Sequence, residues 1–290
     1  MNGWIETMSK PQIVKNKDLK AFLEANKRET RLTGAVERHI LMRPFEERRQ
    51  DVLHPSDIIK KEWCALAAYH ALKGNYVETR DKTTLRLQSI FDEGHSAHAK
   101  WQGYLAEMGV LYGTWGVKDN WGMSNSLQAD GLEYNEVPLI SDKHRISGHA
   151  DGWVKGLGDD FLIEIKTIGA GTLRMEDPAL FAETQDIFTA WKNVRRPLAS
   201  HYKQGQVYLH LCHLMAEEGL IESAPKEIVF IYELKADQDY KEFVVQYNYE
   251  HIKPVFDAAL DVVKAVGNNK PPACTIYGSV KSCKRCEPFK

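Results

Sequence analysis

The chain has 290 residues, 43% hydrophobic and 27% charged, with a formal net charge of −2. That length buries a substantial core as one large domain or one domain with additions, and the composition is that of an ordinary soluble globular protein. The charge balance excludes a surface coated in positive charge for non-specific nucleic-acid binding, though not a local basic groove, because binding depends on where charge sits.

Residues 11–51 are charge-rich with scattered apolar positions (Leu19, Phe22 and Leu23, then Val36, Ile40 and Leu41), a pattern that predicts one or two amphipathic helices in an N-terminal extension over 1–54. Pro55 disfavours helix at the residue before it. Ser56 then offers an N-cap for a helix over 58–70 that carries Cys64. A second helix is expected over 85–107, with Phe91, His95, His98, Trp101 and Leu105. Strand character follows over 126–139 and 145–154, with a turn at 141–143. A Gly/Asp turn at 156–160 leads into a short apolar strand over 161–168. Residues 172–197, with Pro178 and Pro197, read as an irregular or helical insertion. A helix over 201–218, strands over 226–234 and 241–249, a helix over 251–266 and a Pro-, Gly- and Cys-containing tail complete the chain. The order predicts an α/β fold, a central mixed sheet covered by helices on both faces.

No run of about eighteen apolar residues occurs, so no membrane span and no membrane partner is expected. Met1 to Lys10 has no apolar core of a secretory signal, which predicts a cytoplasmic protein. Disulfides are rare in that compartment, so the five cysteines are expected to be buried small hydrophobes or metal ligands.

The chemistry-bearing residues centre on Gly148-His149-Ala150-Asp151 and, one hairpin later, Glu164-Ile165-Lys166. Alternation along the strand puts Glu164 and Lys166 on one face, among Phe161, Leu162, Ile163 and Ile165. Two charges on a strand so apolar are costly unless paired or metal-bound. Gly148 and Gly152 beside the Asp suit close approach of a ligand or backbone. Two carboxylates and an ammonium at one spot are what metal-dependent phosphodiester cleavage requires. The alternative is a set of solvent-facing charges on edge strands. His98, four residues after Gly94, is by itself more often a structural helical histidine than a ligand. Gln204 and Tyr208 share a helix face, either as the polar side of an amphipathic helix or as a wall of the site. Cys274, Cys283 and Cys286 in the tail, with Cys64 upstream, can supply four thiolates for a structural zinc or an iron–sulfur cluster. Cys212, beside Leu209 and Leu211, reads as a buried small hydrophobe. Lys192, Arg195, Arg196, His201 and Lys203, with Trp191 among them, are either a solvated face or a phosphate-tracking groove with an aromatic for base stacking. Lys281, Lys284, Arg285 and Lys290 form a second basic group.

Taken together, these pieces resemble the PD-(D/E)XK nuclease superfamily over about residues 55–290. Within it they resemble the RecB-type iron–sulfur exonucleases, such as the CRISPR-associated exonuclease Cas-four and its phage-encoded relatives. Gly94-x-x-x-His98, Gly148-x-x-Asp151, Glu164-x-Lys166, Gln204-x-x-x-Tyr208 and one early plus three late cysteines stand in the family's order. The family usually places the late C-x2-C pair before the single cysteine, whereas here Cys274 comes first. The segment from Lys166 to Gln204 is also long. The resemblance implies a restriction-endonuclease-like core and a DNA exonuclease acting on single strands or ends. His98, Asp151, Glu164 and the Ile165 carbonyl would hold Mg²⁺ or Mn²⁺. Lys166 would assist the attacking water, with Gln204 and Tyr208 positioning it. Cys64, Cys274, Cys283 and Cys286 would hold a [4Fe–4S] cluster, with zinc as the alternative. Lys192, Arg195, Arg196 and Lys203 would contact DNA. The implied setting is recombination, repair or CRISPR adaptation in a bacterial, archaeal or phage-infected cell, with a recombinase or integration-complex protein as partner and homo-oligomers possible. The rivals are a catalytically weak DNA-end-binding module and an endonuclease of the same superfamily.

Overall fold

A computed structural model describes residues 32–44, 48–78, 81–117, 120–125, 131–276 and 283–289. The expected helix around Leu19, Phe22 and Leu23 lies outside them. Among the described residues the helices are α1 (Thr33–Met42), α2 (Pro55–Ile58), α3 (Ala65–Leu72), α4 (Leu85–Glu107), α5 (Ala170–Glu176), α6 (Ile187–Asn193), α7 (Ala199–Glu217) and α8 (Lys253–Gly267). The strands are β1 (Leu111–Val117), β2 (Asn120–Asn125), β3 (Glu133–Asn135), β4 (Val137–Ser141), β5 (Ile146–Ala150), β6 (Gly152–Val154), β7 (Phe161–Ile168), β8 (Glu227–Leu234) and β9 (Tyr240–Gln246).

The main sheet runs β2-β1-β6-β7-β8-β9, with β3 also paired to β1. Among the described strands of this sheet only β7 and β8 pair in parallel. A parallel neighbour needs a crossover, and α5 to α7 supply it. This is the mixed sheet flanked by helices that the sequence predicts. β7 is central and apolar on both faces. Ile163 and Ile165 pack with Leu111, Trp115 and Val154 under Trp101 and Leu105 of α4, whereas Leu162 and Ile168 join the larger core with Val207 and Leu211 of α7. Period-2 alternation therefore puts Glu164 and Lys166 on the face toward α7. A Cβ at Gly205 would lie 2.6 Å from Phe230 Cζ, so α7 meets β8 closely at a position only glycine fits without displacement.

Three sequence expectations are corrected. The single helix over 58–70 is two, α2 and α3. Pro55 stands inside the first turn of α2, with His54 rather than Ser56 as the extended capping residue, because proline lacks the N–H that the first turn leaves unbonded anyway. Cys64 is the extended residue ahead of α3. The strand over 145–154 is also two, in different sheets. β5 pairs with β4 in a hairpin, β6 joins the main sheet, and Asp151 is the one residue between them. The strand over 126–139 resolves into β3 and β4, with 126–130 outside the described residues, and β1 and β2 were not anticipated. Leu53, 5% exposed, pairs with Ile146, so the chain enters the core just before the expected boundary at residue 55.

Buried histidines make stability acid-sensitive. Leu198 N–H donates to Tyr232 Oη, whose own O–H is thus left to donate to His201 Nδ1, 2.5 Å away. Burial, with the Lys166 charge adding to it, pushes His201 down to about 3. Burial also pushes His210 down to about 4. The unfolded chain binds protons at these histidines near pH 6.5, where the folded chain does not. Their contribution to stability is therefore fully present above that pH and is lost as pH falls toward 3–4. Asp151, raised by burial, acts in the opposite sense over the same interval, so the check is a difference: between pH 7 and pH 5 the native chain should lose about 2 kcal/mol more than His201→Gln in urea melts. Equal changes in the two chains would contradict the assignment of His201 as a neutral acceptor.

Candidate metal-binding active site

The site forms where the two sheets part. Asp151 sits at the joint of β5 and β6, 5% exposed. Its backbone carbonyl accepts from Gln102 Nε2 (2.9 Å) and Tyr134 Oη (3.0 Å), and its Oδ2 accepts from Ile165 N–H at 2.5 Å. β6 pairs with β7 only from Gly152, opposite Ile163. Ile165 is thus beyond the end of that ladder, and the Asp151 carboxylate occupies the vacated edge. Gly152 permits the tight joint, since a Cβ there would lie 2.6 Å from Leu111 Cδ1 and 2.9 Å from Ile163 Cγ1.

α4 brings in His98. The helix is pinned at one end by Lys100 Nζ (2.6 Å) and Trp101 Nε1 (2.7 Å), both on Glu233 Oε2. At the other end, Lys235 Nζ binds Glu93 Oε2 (2.9 Å) and the Ile90 carbonyl (3.2 Å). His98 lies between these anchors. Its Nδ1 is 3.5 Å from Asp151 Oδ1 and 4.0 Å from Glu136 Oε1. One ligand atom from each of His98, Glu136 and Asp151 lies within 4.8 Å of the others.

Glu164 and Lys166 share a face, as alternation predicts, and Lys166 Nζ is 2.6 Å from Glu164 Oε1. Glu164 is 1% exposed, and its Oε2 is buried without a hydrogen-bond partner. A buried, unpartnered carboxylate oxygen is expensive unless a cation or donor meets it. Burial, and then the Glu164 charge, raises Asp151 to about 8. Burial works against the Lys166 ammonium, but Glu164 and Asp151 outweigh it and hold Lys166 above its ordinary value. Burial likewise opposes the charged form of His98, and Glu136, Asp151 and Glu164 together more than offset it, so His98 is raised. Burial and the Glu164 charge thus oppose the ionised form of Asp151 in the protein alone. A divalent cation among these oxygens would let it ionise. The donor set fits such an ion: carboxylates suit Mg²⁺ or Mn²⁺, and the imidazole favours Mn²⁺ of the two.

Gln204 Nε2 donates to Tyr208 Oη at 2.7 Å, so these α7 residues act on each other, as their spacing suggests. Tyr208 is raised well above its usual range by burial first and by the charges of Glu164 and Asp151 next. A Cβ at Gly148 would lie 2.7 Å from Pro55 Cγ and 3.5 Å from Tyr208 Cε1, which accounts for that glycine.

Glu136, Tyr134 and Gln102 were not singled out from the sequence. Gln102 carried a signal, one helical turn after His98 on the same face. Glu136, alone between β3 and β4, carried none.

The basic cluster divides. Lys192, Arg195, Arg196 and Lys203 are exposed, and the last three line a groove of about 1600 Å³ with Tyr202 and His251. Glu176, Asp177 and Glu242 line it too. Trp191, expected for base stacking, is 2% exposed and donates to Asp239 Oδ2, with Lys241 Nζ over its ring, so it belongs to the core. His201 is likewise engaged with Tyr232.

The four cysteines expected together are together. Cys64, Cys274, Cys283 and Cys286 are at most 5% exposed and form one buried group that can hold a metal. Burial raises the Cys64 thiol to about 12 and raises Cys286. Cys212 is fully buried in the main core, apart from this group. Thr275 stitches the early and late segments together. Its Oγ1 accepts from Ala65 N–H (3.2 Å), a first-turn donor of α3, and donates to the Trp63 carbonyl (2.7 Å). His70 stacks on Phe289, with centroids 4.3 Å apart.

No helix among the described residues is long and apolar enough to cross a membrane. No family model and no curated protein matches the chain. Among solved structures, an alkaline exonuclease (LHK-Exo) from Laribacter hongkongensis aligns with a TM-score of 0.41 at 12% identity, over 76% of this chain and 90% of that one. LHK-Exo in complex with dAMP gives 0.41 at 13% over the same shares, and a protein designated SSO0001 gives 0.36 at 14% over 85% of each chain. At these scores and identities, the function has to be argued from the site itself.

Proposed function

We propose that this chain is a divalent-cation-dependent DNA exonuclease acting on single strands or DNA ends. One observation carries the proposal: the clustered ligand atoms of His98, Glu136 and Asp151, together with a buried Glu164–Lys166 pair whose second carboxylate oxygen has no partner. Bound Mg²⁺ or Mn²⁺ would polarise a phosphoryl oxygen and lower the pKa of an attacking water. His98, Glu136, Asp151 and Glu164 would hold the ion. Ile165 N–H faces Asp151, and N–H and C=O of one strand residue share an edge, so the Ile165 carbonyl is offered on that side as a further oxygen ligand. Lys166, paired with Glu164 at 2.6 Å, would orient the water or steady developing charge as a hydrogen-bond donor. Tyr208, accepting from Gln204, keeps its own O–H as a donor within the electrostatic reach of Glu164 and Asp151. Arg195, Arg196 and Lys203, which line one groove, would supply cations for a phosphate backbone, with exposed Lys192 from the same segment. In this proposal residues 55–290 make up the nuclease unit and 1–54 extend it.

Linear and circular single-stranded DNA separate exonuclease from endonuclease. With Mn²⁺ the linear strand should be degraded and the circle left intact, because an exonuclease cannot start without an end. Cutting of the circle at a comparable rate would make the chain an endonuclease. A protein that binds ends tightly and cuts neither would be a module that hands DNA to a recombinase or integration complex.

A further inference from the structure

The sulfur positions in the four-cysteine group discriminate between metals. Cys64 Sγ lies 3.7 Å from Cys274 Sγ, Cys283 Sγ lies 3.6 Å from Cys286 Sγ, and all four are within 4.8 Å of one another. None of the four is in a disulfide. Four thiolates around one ion, each at about 2.3 Å in a tetrahedron, have sulfurs about 3.8 Å apart. The two close pairs match that edge. A [4Fe–4S] cubane requires something different. Each thiolate binds its own iron and points outward from a separate corner, so the ligand sulfurs stand well beyond a single-ion edge. Sulfurs confined to 4.8 Å leave no room between them for four irons and four sulfides.

We propose that Cys64, Cys274, Cys283 and Cys286 bind a single zinc ion in a closed tetrahedral site. The geometry thus departs from the iron–sulfur cluster that the sequence resemblance implies. Four soft sulfur donors in a tetrahedron select zinc among common single ions, and a site with all positions filled by protein is structural and redox-inert. The surroundings suit a clamp. Thr275, next to Cys274, ties Trp63 and Ala65, and Tyr69 of α3 and Lys73 just after it both reach Asn269 Oδ1 just past α8. The ion would fasten residue 64 to a segment some two hundred residues later. The proposal does not depend on the nuclease assignment, and its test does not use activity.

The test is metal and acid-labile sulfide analysis of the full chain purified without oxygen, with its visible spectrum. The expected result is about one zinc per chain, no sulfide and no colour. Exchange into Co²⁺ should then give the intense visible bands of tetrahedral cobalt thiolate. Cys286→Ser should lower the zinc content and Cys212→Ser should leave it unchanged. Iron and sulfide in near-equal amounts with a broad brown absorbance would overturn the proposal, as would mononuclear iron without sulfide or a metal-free chain whose melting is unaffected by a chelator. Should Cys286→Ser fail to fold, the analysis of the native chain still decides between these outcomes.

Discussion

Glu164→Gln should lower the rate of DNA cleavage by at least about 10³-fold while shifting the melting temperature by only a few degrees. The amide keeps the volume and can still meet Lys166 through its carbonyl oxygen, 2.6 Å away in the native pair, so the fold loses little. What it loses is the negative charge at the buried oxygen that has no other partner. If that oxygen is a metal ligand, Mn²⁺ binding measured by calorimetry should weaken in parallel with the rate. Lys166→Met should behave differently, with a rate loss of similar size and Mn²⁺ affinity retained or increased, because an ammonium beside the ion site opposes the cation. Glu164→Gln retaining more than a tenth of native activity would remove Glu164 from the ligand set. Equal losses of metal affinity in both variants would remove the separate role for Lys166.

Cys64→Ala should destabilise the chain by several kcal/mol, and Cys212→Ala by about 1 kcal/mol. Burial cannot separate them, since Cys64 is 2% exposed and Cys212 is fully buried. Their neighbours can. Cys212 is surrounded by core side chains and loses only one sulfur of packing. Cys64 shares its site with three other thiols and closes a loop of 210 residues to Cys274. Opening the site would forfeit the metal-binding energy, which is folding energy because the unfolded chain holds no such site. Chemical denaturation of both variants and the native chain is the check. Equal tolerance of the two substitutions would show that the four-thiol group contributes nothing to stability.

The parts of this fold legible in the sequence were those written in local pattern. α4 and β7 stand where periodicity placed them, and so do Glu164 and Lys166, because an apolar strand with two charges two residues apart admits few other arrangements. The cysteine group was legible because four thiols in a chain expected to be cytoplasmic have few other uses. What the pattern could not carry was tertiary. The break at Asp151, where one extended run changes sheets, has no local breaker besides the flanking glycine, and it creates the vacated edge that makes the site. Glu136 reaches the site because β3 and β4 belong to different sheets, a fact of topology invisible in its neighbours. Trp191 looked available among basic residues, yet Asp239 and Lys241, about fifty positions later, claim it for the core. At the split of the 58–70 helix, Thr275 supplies from far along the chain an acceptor for the first turn of α3, a partner invisible in local pattern.

The most direct measurement is digestion of end-labelled linear single-stranded DNA by the native chain and by Asp151→Asn, each with Mn²⁺ and with excess EDTA. The expected result is degradation by the native chain with Mn²⁺ only, and none by Asp151→Asn under either condition. Cleavage by the native chain in EDTA, native-like cleavage by Asp151→Asn, or tight DNA binding with no cleavage in Mn²⁺ would each contradict it.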